Sequence, residues 1–235
     1  MKRRDFLGSC ALLSGVAPFV HADAAADRAD VRRYARSLLV DEHGAAIRPA
    51  SLAAETNYVF QYPYASTPCF LLRLADAVPP VASLRRERGD PYAAPAGVGP
   101  ARTIVAFSAI CAHKLAYPTR DVSFIRYQRS RSATSSGRVI HCCADHSVYD
   151  PMAGARVVAG PAPQPLAAIA LEYDAARDEL AAVGTIGAEQ FAPFFEKYAF
   201  KLGLEYGGLD RAQRAVADTT VVRELTNYCR TTIEC

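Results

Sequence analysis

Two stretches decide how this chain is read: 105-VAFSAICAHKLAYP-118 and 139-VIHCCADHSVYDPMAG-154. The first holds Cys111-Ala112-His113, a C-x-H. The second holds Cys143-Ala144-Asp145-His146, a C-x-x-H. Thiolates together with imidazoles suit zinc or iron. A zinc finger pairs cysteine with cysteine and histidine with histidine, whereas here each loop supplies one of each. That arrangement fits a [2Fe–2S] cluster in which two cysteines hold one iron and two histidines the other.

Residues beyond the second motif extend the pattern. Ser147-Val148-Tyr149-Asp150-Pro151 follows directly, then Gly154, then Gly160-Pro161-Ala162-Pro163 and Leu166. In this order the chain resembles the Rieske iron–sulfur family, above all the high-potential members of cytochrome bc complexes and arsenite oxidases. The resemblance covers residues 100–175 well, 47–100 weakly, and the last fifty residues not at all. It implies a mainly β fold: a Rieske-type antiparallel β-sandwich with a small cluster-binding subdomain, extended here by a helical C-terminal segment. The implied ligands are Cys111 and Cys143 on the inner iron and His113 and His146 on the outer one. Ser147 and Tyr149 match hydroxyls that donate to the cluster and to ligand sulfur, and Gly160-Pro161 begin the loop that covers it. Such donors stabilise the reduced cluster, so the expectation is a potential in the upper half of the range of about −150 to +300 mV. That potential is expected to fall above neutral pH as the histidines lose protons.

Three departures from the family stand out. The disulfide that staples the two loops in many high-potential members has its positions at Ala116 and Asp145, neither a cysteine. Ser147 follows His146 with no residue between them, which shifts both hydroxyls relative to the ligand. Cys142 adjoins Cys143; the C-x-x-H spacing selects Cys143 as ligand and leaves Cys142 as a buried thiol or a disulfide partner, with the C-terminal tail as one candidate.

The N-terminus reads Lys2-Arg3-Arg4-Asp5-Phe6-Leu7 and continues apolar to Val20. Arg-Arg-x-Phe-Leu is a twin-arginine export signature, and Ala22-Asp23-Ala24 offers cleavage positions. The run from Phe6 to Val20 is 15 residues, short of the ~20 a spanning helix needs. Cleavage after residue 24 and a periplasmic protein are expected, with retention as a membrane anchor the alternative. Cys69, Cys142, Cys229 and Cys235 then remain as candidates for disulfides or free thiols in an oxidising compartment, Cys229 and Cys235 being close enough for a small loop.

The expected organisation is a signal at 1–24, a linker or docking helix at 25–46, the cluster domain at 47–186 with its binding part about 108–165, and a helical extension at 187–235. Residues 78–100, rich in Pro, Gly and Ala and carrying Arg85, Arg86 and Arg88, read as a surface loop. The spacing predicts strands at 57–62, 69–74, 103–107, 166–173 and 179–183, and a hairpin between 121 and 141 that joins the two ligand loops. Net charge is +3, which gives no footprint for nucleic acid. No nucleophile–base pair or phosphate loop appears, so catalysis by this chain alone is not expected. The functional expectation is a periplasmic one-electron carrier, a redox subunit or partner of a respiratory oxidoreductase such as a quinol- or arsenite-oxidase-like chain, that passes electrons to a cytochrome or another oxidoreductase subunit. The alternative is an exported zinc-binding structural or interaction module.

Overall fold

The structure, a computed structural model, describes residues 31–235. The expected signal at 1–24, with its Cys10, lies outside the described residues. Among the described residues, sixteen strands carry the fold. In chain order the first eight are β1 (Val31–Val40), β2 (Tyr58–Gln61), β3 (Pro68–Arg73), β4 (Val81–Arg85), β5 (Pro91–Ala94), β6 (Ile104–Ser108), β7 (Val122–Ser123) and β8 (Ile125–Gln128). They are followed by β9 (Val139–Cys142), β10 (Ser147–Asp150), β11 (Arg156–Ala159), β12 (Ala168–Asp174) and β13 (Glu179–Ile186). The helices α1 (Phe191–Tyr206) and α2 (Leu209–Ala212) come next, then β14 (Asp218–Val221), β15 (Arg223–Glu224), α3 (Leu225–Tyr228) and β16 (Thr231–Thr232).

Eight strands form one sheet in the order β14-β1-β13-β12-β6-β3-β2-β15, and four form a second, β11-β10-β9-β8. The large sheet is buried on both faces, and strand alternation explains how. Phe70, Leu72, Val105 and Phe107 join the core that also contains Ile140 and Tyr149 of the small sheet. Their neighbours Cys69, Leu71, Ile104 and Ala106 join the core on the opposite face with Phe60 and Tyr62. The small sheet, with its site-bearing turn, is thus packed onto one face of the large one.

The mainly β architecture agrees with the sequence reading, and so do the strands expected near 57–62, 69–74, 103–107, 166–173 and 179–183. Three segments differ. Residues 31–40 are strand rather than helix: β1 pairs antiparallel with β13 and parallel with β14, and Ser37 and Leu39 are wholly buried. Sheet partners on both sides override the helix propensity of an Ala- and Arg-rich run. The segment 78–100 holds the hairpin β4–β5, and only its tip, residues 86–90, is the expected charged turn. The extension is helical through α1 and α2 and again in the four residues of α3. Between α2 and α3 the β-branched run Thr219-Thr220-Val221 closes the outer edge of β1, and after α3 the strand β16 pairs parallel with β7.

Helix α1 supports the first ligand loop. It ends at Gly207, whose φ of 70° lies in the left-handed region that glycine adopts without strain. Phe194 is fully buried and meets Tyr117 edge-on at 4.9 Å, while Lys197 donates to the carbonyl of Lys114 at 2.6 Å. Phe191 and Phe195 are buried beside it, whereas Phe200 points to solvent. Truncating Phe194 to alanine removes the centre of this aromatic cluster. We expect a loss of about 3–5 kcal/mol, read as a lowered midpoint in thermal or urea unfolding. No described helix is long and apolar enough to cross a membrane.

Candidate metal centre

The first loop leaves β6 and turns at once. The Cys111 amide donates to the Ala116 carbonyl, and the Leu115 amide returns to the Cys111 carbonyl at 3.0 Å. This turn buries Cys111 and leaves the His113 side chain 36% exposed. The second loop is the tight connection between β9 and β10, in which Cys142 lies opposite Ser147. The amides of Asp145 and His146 both return to the Cys142 carbonyl. His146 therefore takes a positive φ of 59° and projects outward. Gly160 packs on this turn; a Cβ there would lie 2.3 Å from the His146 carbonyl oxygen, so only glycine lets Gly160-Pro161 lie so close.

The structure brings together Cys111, His113, Cys142 and Asp145. Sγ of Cys111 and of Cys142 and a carboxylate oxygen of Asp145 all lie within 4.8 Å of one another. The Asp145 Oδ2 is 3.3 Å from Cys111 Sγ and 3.0 Å from His113 Nδ1, and its Oδ1 accepts the Ser147 amide at 2.9 Å. Asp145 thereby ties the second loop to the first, although no disulfide links them.

Two expected ligands lie elsewhere. Cys143 is disulfide-bonded to Cys235, with Cα atoms 5.6 Å apart. His146 faces His141, Nδ1 to Nε2 at 3.4 Å. The physical reason is the pleat: adjacent residues at a strand end point to opposite sides, so Cys142 turns toward Cys111 and Cys143 toward the tail. The two cysteines exchange the positions expected of them. Cys142 faces the centre, and Cys143 is the one tied to the C-terminal tail. Cys229 is a buried free thiol and makes no small loop with Cys235. Cys69 is also free and buried, donating to the Tyr62 carbonyl at 3.0 Å.

The arrangement that brings Cys142 and Asp145 to Cys111 has a sequence signal. Counting back from Ser147, the second position is Asp145 and the fifth is Cys142. In this count one residue, His146, stands between Asp145 and the serine. The staple position assigned to Asp145 moves with the same shift to Ala144.

Charge explains why these groups converge. Burial by itself would raise the Asp145 carboxyl. Hydrogen bonds from the Ser147 amide, Cys111, Cys142 and His113 outweigh it and hold the group below its ordinary value. Cys111 is lowered to about 7, first by a hydrogen bond from Cys142 against the cost of burial, then by Tyr149 and the His113 and Lys114 amides. Cys142 moves the other way, chiefly because it donates to Cys111 and is buried. Two thiolates and a carboxylate this close cannot all ionise without a cation among them. The Tyr149 oxygen accepts the Ala112 amide at 3.1 Å. Burial, followed by the nearby Cys111, raises the phenol, so it keeps its proton and donates it to Cys111 Sγ at 3.3 Å. Ser147 Oγ is buried and has no hydrogen-bond partner among the described residues. A buried hydroxyl left in this state, on the residue paired across the strands with Cys142, suits an acceptor that is not part of the protein.

No family model matches this sequence. In three dimensions the chain is similar to the crystal structure of the soluble domain of the Rieske protein II from Sulfolobus acidocaldarius. That similarity has 27% sequence identity, a TM-score of 0.48, and coverage of 67% of this chain and 82% of that one.

Proposed function

We propose that the chain is an exported, Rieske-type one-electron carrier whose [2Fe–2S] cluster is held by Cys111 and Cys142 on one iron and by His113 and Asp145 on the other. One observation carries this reading: a pair of adjoining thiols faces an imidazole–carboxylate pair 3.0 Å apart, all on two loops of one β-domain. The unpartnered Ser147 hydroxyl and the Tyr149 phenol supply donors suited to inorganic sulfide and to ligand sulfur. When bound, the cluster would supply reversible one-electron chemistry. The protein's own residues do the rest. The two cysteines are buried and keep water from one end, while the half-exposed His113 is the route by which a partner reaches the other.

The carboxylate changes the expected potential. Neutral imidazoles in place of thiolates are what raise Rieske potentials above about −400 mV. Asp145 restores one negative charge, so the oxidised state gains and the potential falls below that of a two-histidine centre. We therefore replace the sequence-based expectation of a high potential with one near or below the bottom of the Rieske range. The redox partner, a cytochrome or oxidoreductase subunit, would have to match it. Periplasmic residence by the twin-arginine route remains part of the proposal and rests on Arg3-Arg4 and the apolar run after them.

The deciding experiment is electron paramagnetic resonance with iron and sulfide analysis of the purified protein. Two irons and two sulfides per chain, with a signal that appears on one-electron reduction, are expected. A colourless protein carrying one zinc and silent on reduction would establish the alternative structural-module reading. Tyr149→Phe supplies a finer measure: the cluster stays, and its potential drops by tens of millivolts, roughly, because Cys111 loses a donor. The same variant leaves the Ala112 amide buried without an acceptor, at a cost of about 1–3 kcal/mol.

A further inference from the structure

The outer side of the same turn holds a second set of metal-ligating side chains, none of which the proposed cluster uses. His141 is fully buried, and its Nδ1 has no partner among the described residues. Its Nε2 lies 3.4 Å from Nδ1 of His146, a ring that opens to solvent. Cys235 Sγ is within 4.8 Å of a ring nitrogen of each, and Cys143 is bonded to that sulfur. Two imidazoles and two sulfurs thus meet at one point, drawn from β9, the turn and the tail.

We propose that reduction of the Cys143–Cys235 bond turns this cluster into a second metal centre, a Cys2His2 site for Zn2+ formed by His141, Cys143, His146 and Cys235. The spacing suits it. Tetrahedral zinc with Zn–N of about 2.0–2.1 Å sets its two nitrogens ~3.3–3.4 Å apart, and the two imidazoles already stand at 3.4 Å. Two thiolates on the same ion stand ~3.8 Å apart for Zn–S of about 2.3 Å, which side chains on Cα atoms 5.6 Å apart can reach without moving the backbone. The chemistry balances. A dithiol reductant gives two electrons and two protons to the S–S bond, which breaks into two thiols while the reductant becomes a disulfide. Zinc then displaces both thiol protons to water, and the neutral imidazoles keep their remaining N–H, so the bound site has no net charge. A neutral site avoids leaving an unpaired charge in this half-buried position. Zinc would also fix the His141 tautomer, which nothing but His146 now determines. In the disulfide form only the two imidazoles remain as donors.

The test uses the full chain, reduced with a dithiol and desalted without oxygen, then titrated with Zn2+ against a chromophoric zinc chelator. Reduction is expected to create one site per chain that the disulfide form lacks. Cys235→Ser and the exposed His146→Ala should each weaken it at least tenfold, while Cys111→Ala, which alters only the first centre, should leave it unchanged. Equal zinc affinity before and after reduction would overturn the inference. So would an indifferent His146→Ala, or loss of the site in Cys111→Ala, which would put the zinc in the first centre. The cluster's paramagnetic signal, read on the same samples, reports separately on the reading given under the proposed function.

Discussion

Cys142→Ala is expected to abolish the cluster, and Cys143→Ala to leave it in place. The two residues are adjacent, and each follows a different rule of the sequence: Cys143 completes C-x-x-H with His146, whereas Cys142 stands opposite Ser147 and turns toward Cys111. The structure puts Cys142 Sγ within 4.8 Å of Cys111 Sγ and Asp145, while Cys143 is bonded to Cys235. Partners that only orient a metal ligand are worth ~10–100-fold in affinity, so loss of a thiolate ligand itself should cut iron and sulfide content by more than that. Cys143→Ala instead opens a link between residues 92 apart in sequence. Its cost should appear in stability, about 2–5 kcal/mol in denaturant unfolding under non-reducing conditions. A colourless Cys143→Ala beside a brown Cys142→Ala would return the ligands to the register of C-x-x-H.

The second large effect belongs to Asp145. Asp145→His replaces a bound carboxylate by a neutral imidazole and should raise the reduction potential by on the order of 100–300 mV, since two such charge replacements separate Rieske centres from all-thiolate clusters. At 59 mV per factor of ten, the redox equilibrium with a fixed partner shifts by roughly two to five decades. Potentiometry of both proteins measures this directly. An unchanged potential in a variant that still holds its cluster would mean that Asp145 is not a ligand. Asp145→Ala provides the complementary result. It loses the contacts to Cys111, His113 and the Ser147 amide together, and the two loops should lose both their connection and the cluster.

Much of this site was legible in the residues. Cys111 and His113 stand where C-x-H placed them, and Tyr149 reaches Cys111 Sγ as its place in Ser-x-Tyr-Asp implied. In the second loop two signals disagree by one residue. The C-x-x-H spacing selects Cys143 and His146, whereas the count back from Ser147 selects Cys142 and Asp145, the pair that lies beside Cys111. Strands 2, 3, 6, 12 and 13 were readable because their β-branched and aromatic residues also face a core. β1 was not, because its partners are distant in sequence and an Ala- and Arg-rich run carries no trace of them. The tail held a usable signal, the β-branched residues from Thr219 to Val222, hidden by the helical composition around them.

The placement of β1 between β13 and β14 bears on how the chain reaches its fold. Val31 pairs with Ile186 and Ser37 with Asp218, so the first described strand waits for nearly the whole chain before either flank is covered. Contacts of such sequence separation slow folding. Until Asp218–Val221 arrive, Ser37–Val40 of β1 present an open row of amides and carbonyls, the kind of edge on which other chains add. A chain cut short of residue 218 would keep every residue of the proposed centre and still carry an aggregation-prone seam along β1, which would then end the large sheet.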